Sequence, residues 1–107
     1  MNEIILTCKR VTFYSLKDED AFFEWIKKMM CIESISAQYN ELYLHISKKR
    51  LLNQELDDLI GLFSRYKIKN MHQLAQFLNS RNKKWFYDNP SAFWYKRVFG
   101  TKVTKKK

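Results

Sequence analysis

The chain has 107 residues, enough for one domain with a modest core. Hydrophobic residues at 46% and aromatic residues at 16% exclude a disordered composition, and only two glycines and one proline leave little material for long loops. Charge is split along the chain: residues 64–107 hold twelve Lys/Arg against a single acid, Asp88, a net of +11, whereas residues 1–63 hold eight against ten, a net of −2. Part of the molecule should therefore attract something anionic, a nucleic acid or an acidic protein surface.

No apolar run approaches the roughly 18 residues that read as a membrane span. The Met-Asn-Glu start lacks the basic stretch and apolar block of a signal peptide, so a cytoplasmic location is expected. Cys8 and Cys31 form no CxxC pair and have apolar neighbours, which suits reduced thiols filling a core.

In chain order, Glu3 to Cys8 is rich in Ile and Leu and reads as a strand buried on both faces. Val11 to Tyr14 is β-prone and either continues that strand beyond Lys9 and Arg10 or pairs back on it. Ser15 can cap a helix whose first turn carries Asp18, Glu19 and Asp20. Its apolar stripe is Phe22, Phe23, Trp25, Ile26, Met29 and Met30. Residues 32–39 alternate, with Ile35, Ala37 and Tyr39 on one side. Asn40-Glu41 makes a turn, and Leu42, Leu44 and Ile46 then share a face, which together read as a hairpin with one covered face.

Leu51, Leu52, Leu56, Leu59, Ile60 and Phe63 predict a long amphipathic helix, in which Gly61 implies close approach of another backbone. Asn70 with Gln73 resembles a capping box for a short helix carrying Met71, Leu74, Phe77 and Leu78. Asn89-Pro90 starts a last helix, residues 90–98, that Gly100 stops. The expected fold is α+β: a small, mostly antiparallel sheet of three or four strands under about four helices, in the order β-(β)-α-β-β-α-α-α. Residues 1–100 form one domain, and residues 101–107 a basic, fraying tail.

The chain carries none of the usual catalytic signatures: no P-loop, GxGxxG, GxSxG or HExxH. Neither His45 nor His72 has a partner at metal-ligand spacing, and no cofactor or metal is implied. A ribonuclease can be built from two histidines and a lysine, which makes His45 and His72 the enzymatic alternative. The acids Glu55, Asp57 and Asp58 sit on the wet side of their helix.

The strongest binding candidate is the basic-aromatic stretch 81–99, with Lys83, Lys84, Trp85, Tyr87, Trp94, Tyr95, Lys96 and Arg97 as contact residues. Cations there could meet phosphates and rings could stack on unpaired bases. The same residue types dominate protein interfaces. Phe86, Phe93 and Val98 are assigned to the core, as are two of Trp85, Tyr87, Trp94 and Tyr95.

Residues 59–68 (Leu-Ile-Gly-Leu-Phe-Ser-Arg-Tyr-Lys-Ile), 73–79 (Gln-Leu-Ala-Gln-Phe-Leu-Asn), 82–86 (Asn-Lys-Lys-Trp-Phe) and 94–100 (Trp-Tyr-Lys-Arg-Val-Phe-Gly) resemble the small bacterial immunity proteins of contact-dependent growth inhibition systems. The likeness is one of texture over the C-terminal half. It implies a non-enzymatic inhibitor that binds a cognate toxin domain, usually a nuclease, one-to-one in the cytoplasm. Nuclease inhibitors are often acidic, and this chain is +9. Either the toxin is acidic or the contact uses the less basic half with Glu55, Asp57 and Asp58. An RNA- or DNA-binding module is the alternative reading.

Overall fold

The computed structural model describes residues 3–9, 11–39 and 41–100. Expectations placed on Arg10, Asn40 and the 101–107 tail lie outside them. The fold is α+β, built on a three-stranded antiparallel sheet. The chain divides into two compact units, Met1–Lys69 and Asn70–Lys107.

The first unit holds β1 (Glu3–Lys9), α1 (Leu16–Lys27), β2 (Ile32–Gln38), β3 (Glu41–Ser47) and α2 (Asn53–Arg65). The strand order is β1-β3-β2, so β3 is central. In the β1–β3 ladder Ile4 faces Ile46, Leu6 faces Leu44 and Cys8 faces Leu42. Directly opposed residues share a face, and this one carries the fully buried Leu6, Cys8, Leu44 and Ile46. β1 is buried on one side and not on both as its composition suggests, because Ile5 on the other face is 51% exposed. Val11, Thr12 and Phe13 form no strand. Phe13 instead turns its ring into the core, edge-on to Phe22 at 5.2 Å and to Tyr66 at 6.0 Å.

The hairpin of β2 and β3 forms in the expected place, with an irregularity in register between Ile32 and Ser34. Its covered face is incomplete. Ile35 and Ala37 face Leu44 and Leu42 across the ladder, yet both are exposed, so the cover that buries the inner face of β1 and β3 does not extend over this part of β2.

α1 begins as its sequence dictates: Ser15 Oγ accepts the Asp18 N–H at 3.2 Å. Phe22 and Ile26 are buried, whereas Met30, past the end of α1, is exposed. α2 starts at Asn53, later than the leucine pattern suggests, leaving Leu52 as an exposed cap. It buries Leu56, Leu59, Ile60, Leu62 and Phe63. At Gly61 the close neighbour is not a backbone but the Trp25 ring of α1; a Cβ there would meet it at 3.5 Å.

α2 ends in a Schellman turn. The Ile68 N–H reaches the Phe63 carbonyl at 2.9 Å and the Lys67 N–H the Ser64 carbonyl at 3.3 Å. Lys67 takes the left-handed position, φ 55°, that glycine usually fills.

The second unit holds a 3-10 segment, Met71–Phe77, and two short helices, α3 (Lys83–Phe86) and α4 (Tyr95–Phe99). Met71, Leu74 and Phe77 recur every third residue, the period at which 3-10 side chains eclipse, so one stripe is buried. Leu78 breaks the period and is exposed. The expected capping box is replaced: Asn70 makes no side-chain cap bond, and Gln73 Nε2 donates to the Asn70 carbonyl at 3.0 Å. The last helix runs only from Tyr95 to Phe99, because residues 90–94 form successive turns. Asn89 does not cap it; its Nδ2 donates to the Trp85 carbonyl at 3.1 Å and closes α3 instead. Gly100, φ 80°, stops α4 as expected.

Candidate partner-binding surface

The basic-aromatic stretch is folded inward by its rings and outward by its cations. Phe86 centres a ring cluster, 5.6 Å from Trp94 and 4.9 Å from Phe99. Tyr95 and Tyr87 lie 5.0 and 5.1 Å from Phe99. Phe86, Trp94, Tyr95 and Val98 are buried, while Trp85 and Tyr87 are half-buried. Of the four rings whose burial the sequence leaves open, Trp94 and Tyr95 therefore belong to the core. Burial pushes the Tyr95 phenol above its ordinary pKa, with smaller contributions from Tyr87 and Asp88.

Phe93 reverses its expected role: the sequence assigns it to the core, and it is 77% exposed. The reason lies in spacing. Trp94 and Val98 are four apart and share the inner side of the α4 turn, whereas Phe93 lies before the helix, in the turns of residues 90–94. Clustering of rings in the sequence conceals this, because nothing local marks where the helix begins.

Lys84, Lys96, Arg97 and Arg81 are exposed. Lys83 is committed locally: its Nζ lies 2.9 Å from Asp88 Oδ2 and 5.8 Å from the centre of the Tyr87 ring. Asp88 is the single acidic residue of the second unit, and among the described residues it is Lys83 that pairs with it. The unit thus exposes one large ring, Phe93, together with Lys96 and Arg97, and has a strong positive excess.

The three acids of α2 differ in their local partners. Glu55 Oε1 accepts the Cys31 N–H at 3.1 Å, which ties α2 to the chain entering β2. Asp58 Oδ1 accepts from Gln54 Nε2 at 3.2 Å, and Asp57 is exposed. His45 lies on the face of β3 opposite Leu44, its Nε2 3.1 Å from Ser36 Oγ. His72 is exposed on the 3-10 segment of the other unit. Among the described residues no three His, Cys, Asp or Glu side chains converge on a metal position, and no helix is long and apolar enough to cross a membrane.

Compared with known proteins, the chain matches no family model, and neither the curated proteins nor the solved structures yield a match.

Proposed function

We propose that the chain is an immunity protein that binds, one-to-one, a nuclease-type toxin domain of a contact-dependent growth inhibition system and neutralises it. The observation that carries the reading is the exposed Phe93, followed in sequence by the exposed Lys96 and Arg97, in a unit whose only acid is already held by Lys83. An exposed aromatic residue together with exposed cations has the composition of an interface hot spot: the ring fills a pocket, and the cations steer and orient an acidic partner. The likeness of residues 59–100 to immunity proteins points the same way. Inhibition by binding needs no chemistry from this chain, only a surface that blocks the toxin or its access to substrate.

The test is co-purification with the toxin domain encoded beside the gene, at about 0.3 M salt, where the Debye length is only about 5–6 Å. A stoichiometric complex is expected. Phe93→Ser combined with Lys96→Glu and Arg97→Glu should release it and abolish protection of cells that express the toxin. A complex that survives all three changes would sink this surface as the interface.

Nucleic-acid binding is the second reading, favoured by the same exposed Arg81, Lys84, Lys96 and Arg97. Burial of Trp94 and Tyr95 weighs against it, since a stacking platform needs those rings in solvent. It would show itself as affinity for RNA or DNA that falls steeply with salt.

A further inference from the structure

A half-open groove of about 390 Å³ lies in the first unit, where the start of α1 meets the end of α2. That is within the range of small-ligand pockets, about 300–1,000 Å³. Its walls include Tyr14, Lys17, Asp18, Arg65, Tyr66 and Lys67. Three cations thus face one carboxylate, and that carboxylate is already engaged locally, because Asp18 Oδ2 accepts the Tyr14 N–H at 3.0 Å. The lining carries a side-chain charge of +2 at neutral pH.

The groove is held in shape from behind. Tyr66 is buried, its ring 4.9 Å from Phe22, and its hydroxyl donates to the Asp18 carbonyl at 3.4 Å. Arg65 places its guanidinium carbon 5.6 Å from the centre of the Tyr66 ring, so a rigid ring orients the guanidinium fork. Lys67 occupies the left-handed position of the Schellman turn, where glycine is the ordinary residue. The chain keeps a lysine there against its backbone preference, and that lysine lines the groove. Backbone strain of this kind gathers at functional sites. At the rim stands Tyr14, 77% exposed.

We propose that this groove binds a phosphate monoester joined to a planar ring, the chemistry of a mononucleotide. Charge decides between anions. A peptide carboxylate carries one negative charge and leaves a lining of +2 half-answered, whereas a phosphate monoester carries about −1.5 to −2 at pH 7. Arg65 offers paired donors to two phosphate oxygens, and Lys17 and Lys67 supply point charges. Tyr14 provides a face on which a base can stack. The proposal does not rest on the partner-binding reading, because the groove is lined by residues of the first unit alone.

The experiment titrates the full chain at low salt with AMP, ribose 5-phosphate, adenosine and a 5′-phosphorylated trinucleotide, read by calorimetry and by amide chemical shifts. AMP should bind and shift the amides of Tyr14, Lys17 and Lys67; ribose 5-phosphate should bind more weakly; adenosine should not bind. Arg65→Gln, Lys67→Gln and Lys17→Gln should each weaken AMP about tenfold, the value of one charge-assisted hydrogen bond. Tyr14→Ala should erase the advantage of AMP over ribose 5-phosphate. Lys48→Gln, outside the groove, should change nothing. A trinucleotide that binds more tightly than AMP assigns the site to a nucleic-acid end; AMP equal or tighter assigns it to free nucleotide. No saturable AMP binding, adenosine binding as well as AMP, or affinity unchanged in the three Gln variants overturns the proposal. The Lys67→Gln variant retains any native left-handed strain, so its fold is checked by circular dichroism, and Lys17→Gln, on the exposed first turn of α1, gives a second reading should Lys67→Gln unfold.

Discussion

Asn79 and Asn82 hold each other by reciprocal hydrogen bonds: Asn82 Oδ1 accepts the Asn79 N–H at 2.9 Å, and Asn79 Oδ1 accepts the Asn82 N–H at 3.0 Å. Asn82 is only 2% exposed, and its Nδ2 also donates to the Phe77 carbonyl at 2.9 Å. This clasp carries the chain from the 3-10 segment into α3 and so places the cations that follow. Asn82→Ala would strand a buried carbonyl and an N–H together. A loss of about 2–3 kcal/mol is expected in chemical denaturation, whereas Lys84→Ala, on the exposed side of α3, should stay within about 0.5 kcal/mol.

Phe93 and Phe86 should behave as opposites although they sit in one aromatic run. Phe93→Ser is expected to leave stability unchanged within about 0.5 kcal/mol. Phe86→Ala should cost about 3–5 kcal/mol, because it empties the centre of the ring cluster. Thermal unfolding of the two variants decides this. A large loss in the Phe93 variant would mean that its ring is packed.

Gly61 makes a graded test of the α1–α2 contact. A Cβ at 3.5 Å from the Trp25 ring is ordinary van der Waals distance, so Gly61→Ala should stabilise by up to about 1 kcal/mol through helix propensity. Gly61→Leu should destabilise by about 1–3 kcal/mol, since its branches would enter the ring. Denaturation midpoints of the pair should therefore move in opposite directions.

Lys67→Gly relieves the left-handed position and should stabilise the fold by about 1 kcal/mol. If the groove binds a phosphate, the same variant should lose affinity. Higher stability with weaker binding is the signature of strain kept for function.

The thiols respond to burial. Desolvation pushes Cys8 and Cys31 up from 9.0 to about 12, with Glu55 adding to the shift at Cys31. Both should therefore resist thiol reagents at pH 8 in the folded protein and react on unfolding. The folded state holds its thiol protons more tightly than the unfolded one. Their contribution to stability is thus complete below about pH 9 and falls as pH rises from 9 toward 12. Stability measured across that window in Cys8→Ala and Cys31→Ala should decline less steeply than in the parent.

Local chemistry was legible wherever the deciding partner is near in sequence. Ser15 caps α1 through a residue three positions away, the alternation of Leu42, Leu44 and Ile46 set the buried face of β3, and Gly100 stops α4 because few residues tolerate its φ. The α+β class and the hairpin follow from such periods. The span of the last helix did not, because Asn89 closes α3 through its side chain rather than opening the next turn.

Periods, caps and the charge excess of the C-terminal residues can be read from the amino-acid order, since each depends on neighbours within about one helical turn. Packing between distant segments settles which rings reach solvent, that Glu55 is tied to Cys31, and that Tyr14, Lys17, Arg65 and Lys67 line one groove. Burial and convergence depend on contacts between stretches tens of residues apart. Tyr14 and Arg65 become neighbours only after α2 has folded against α1, and no local period encodes that meeting.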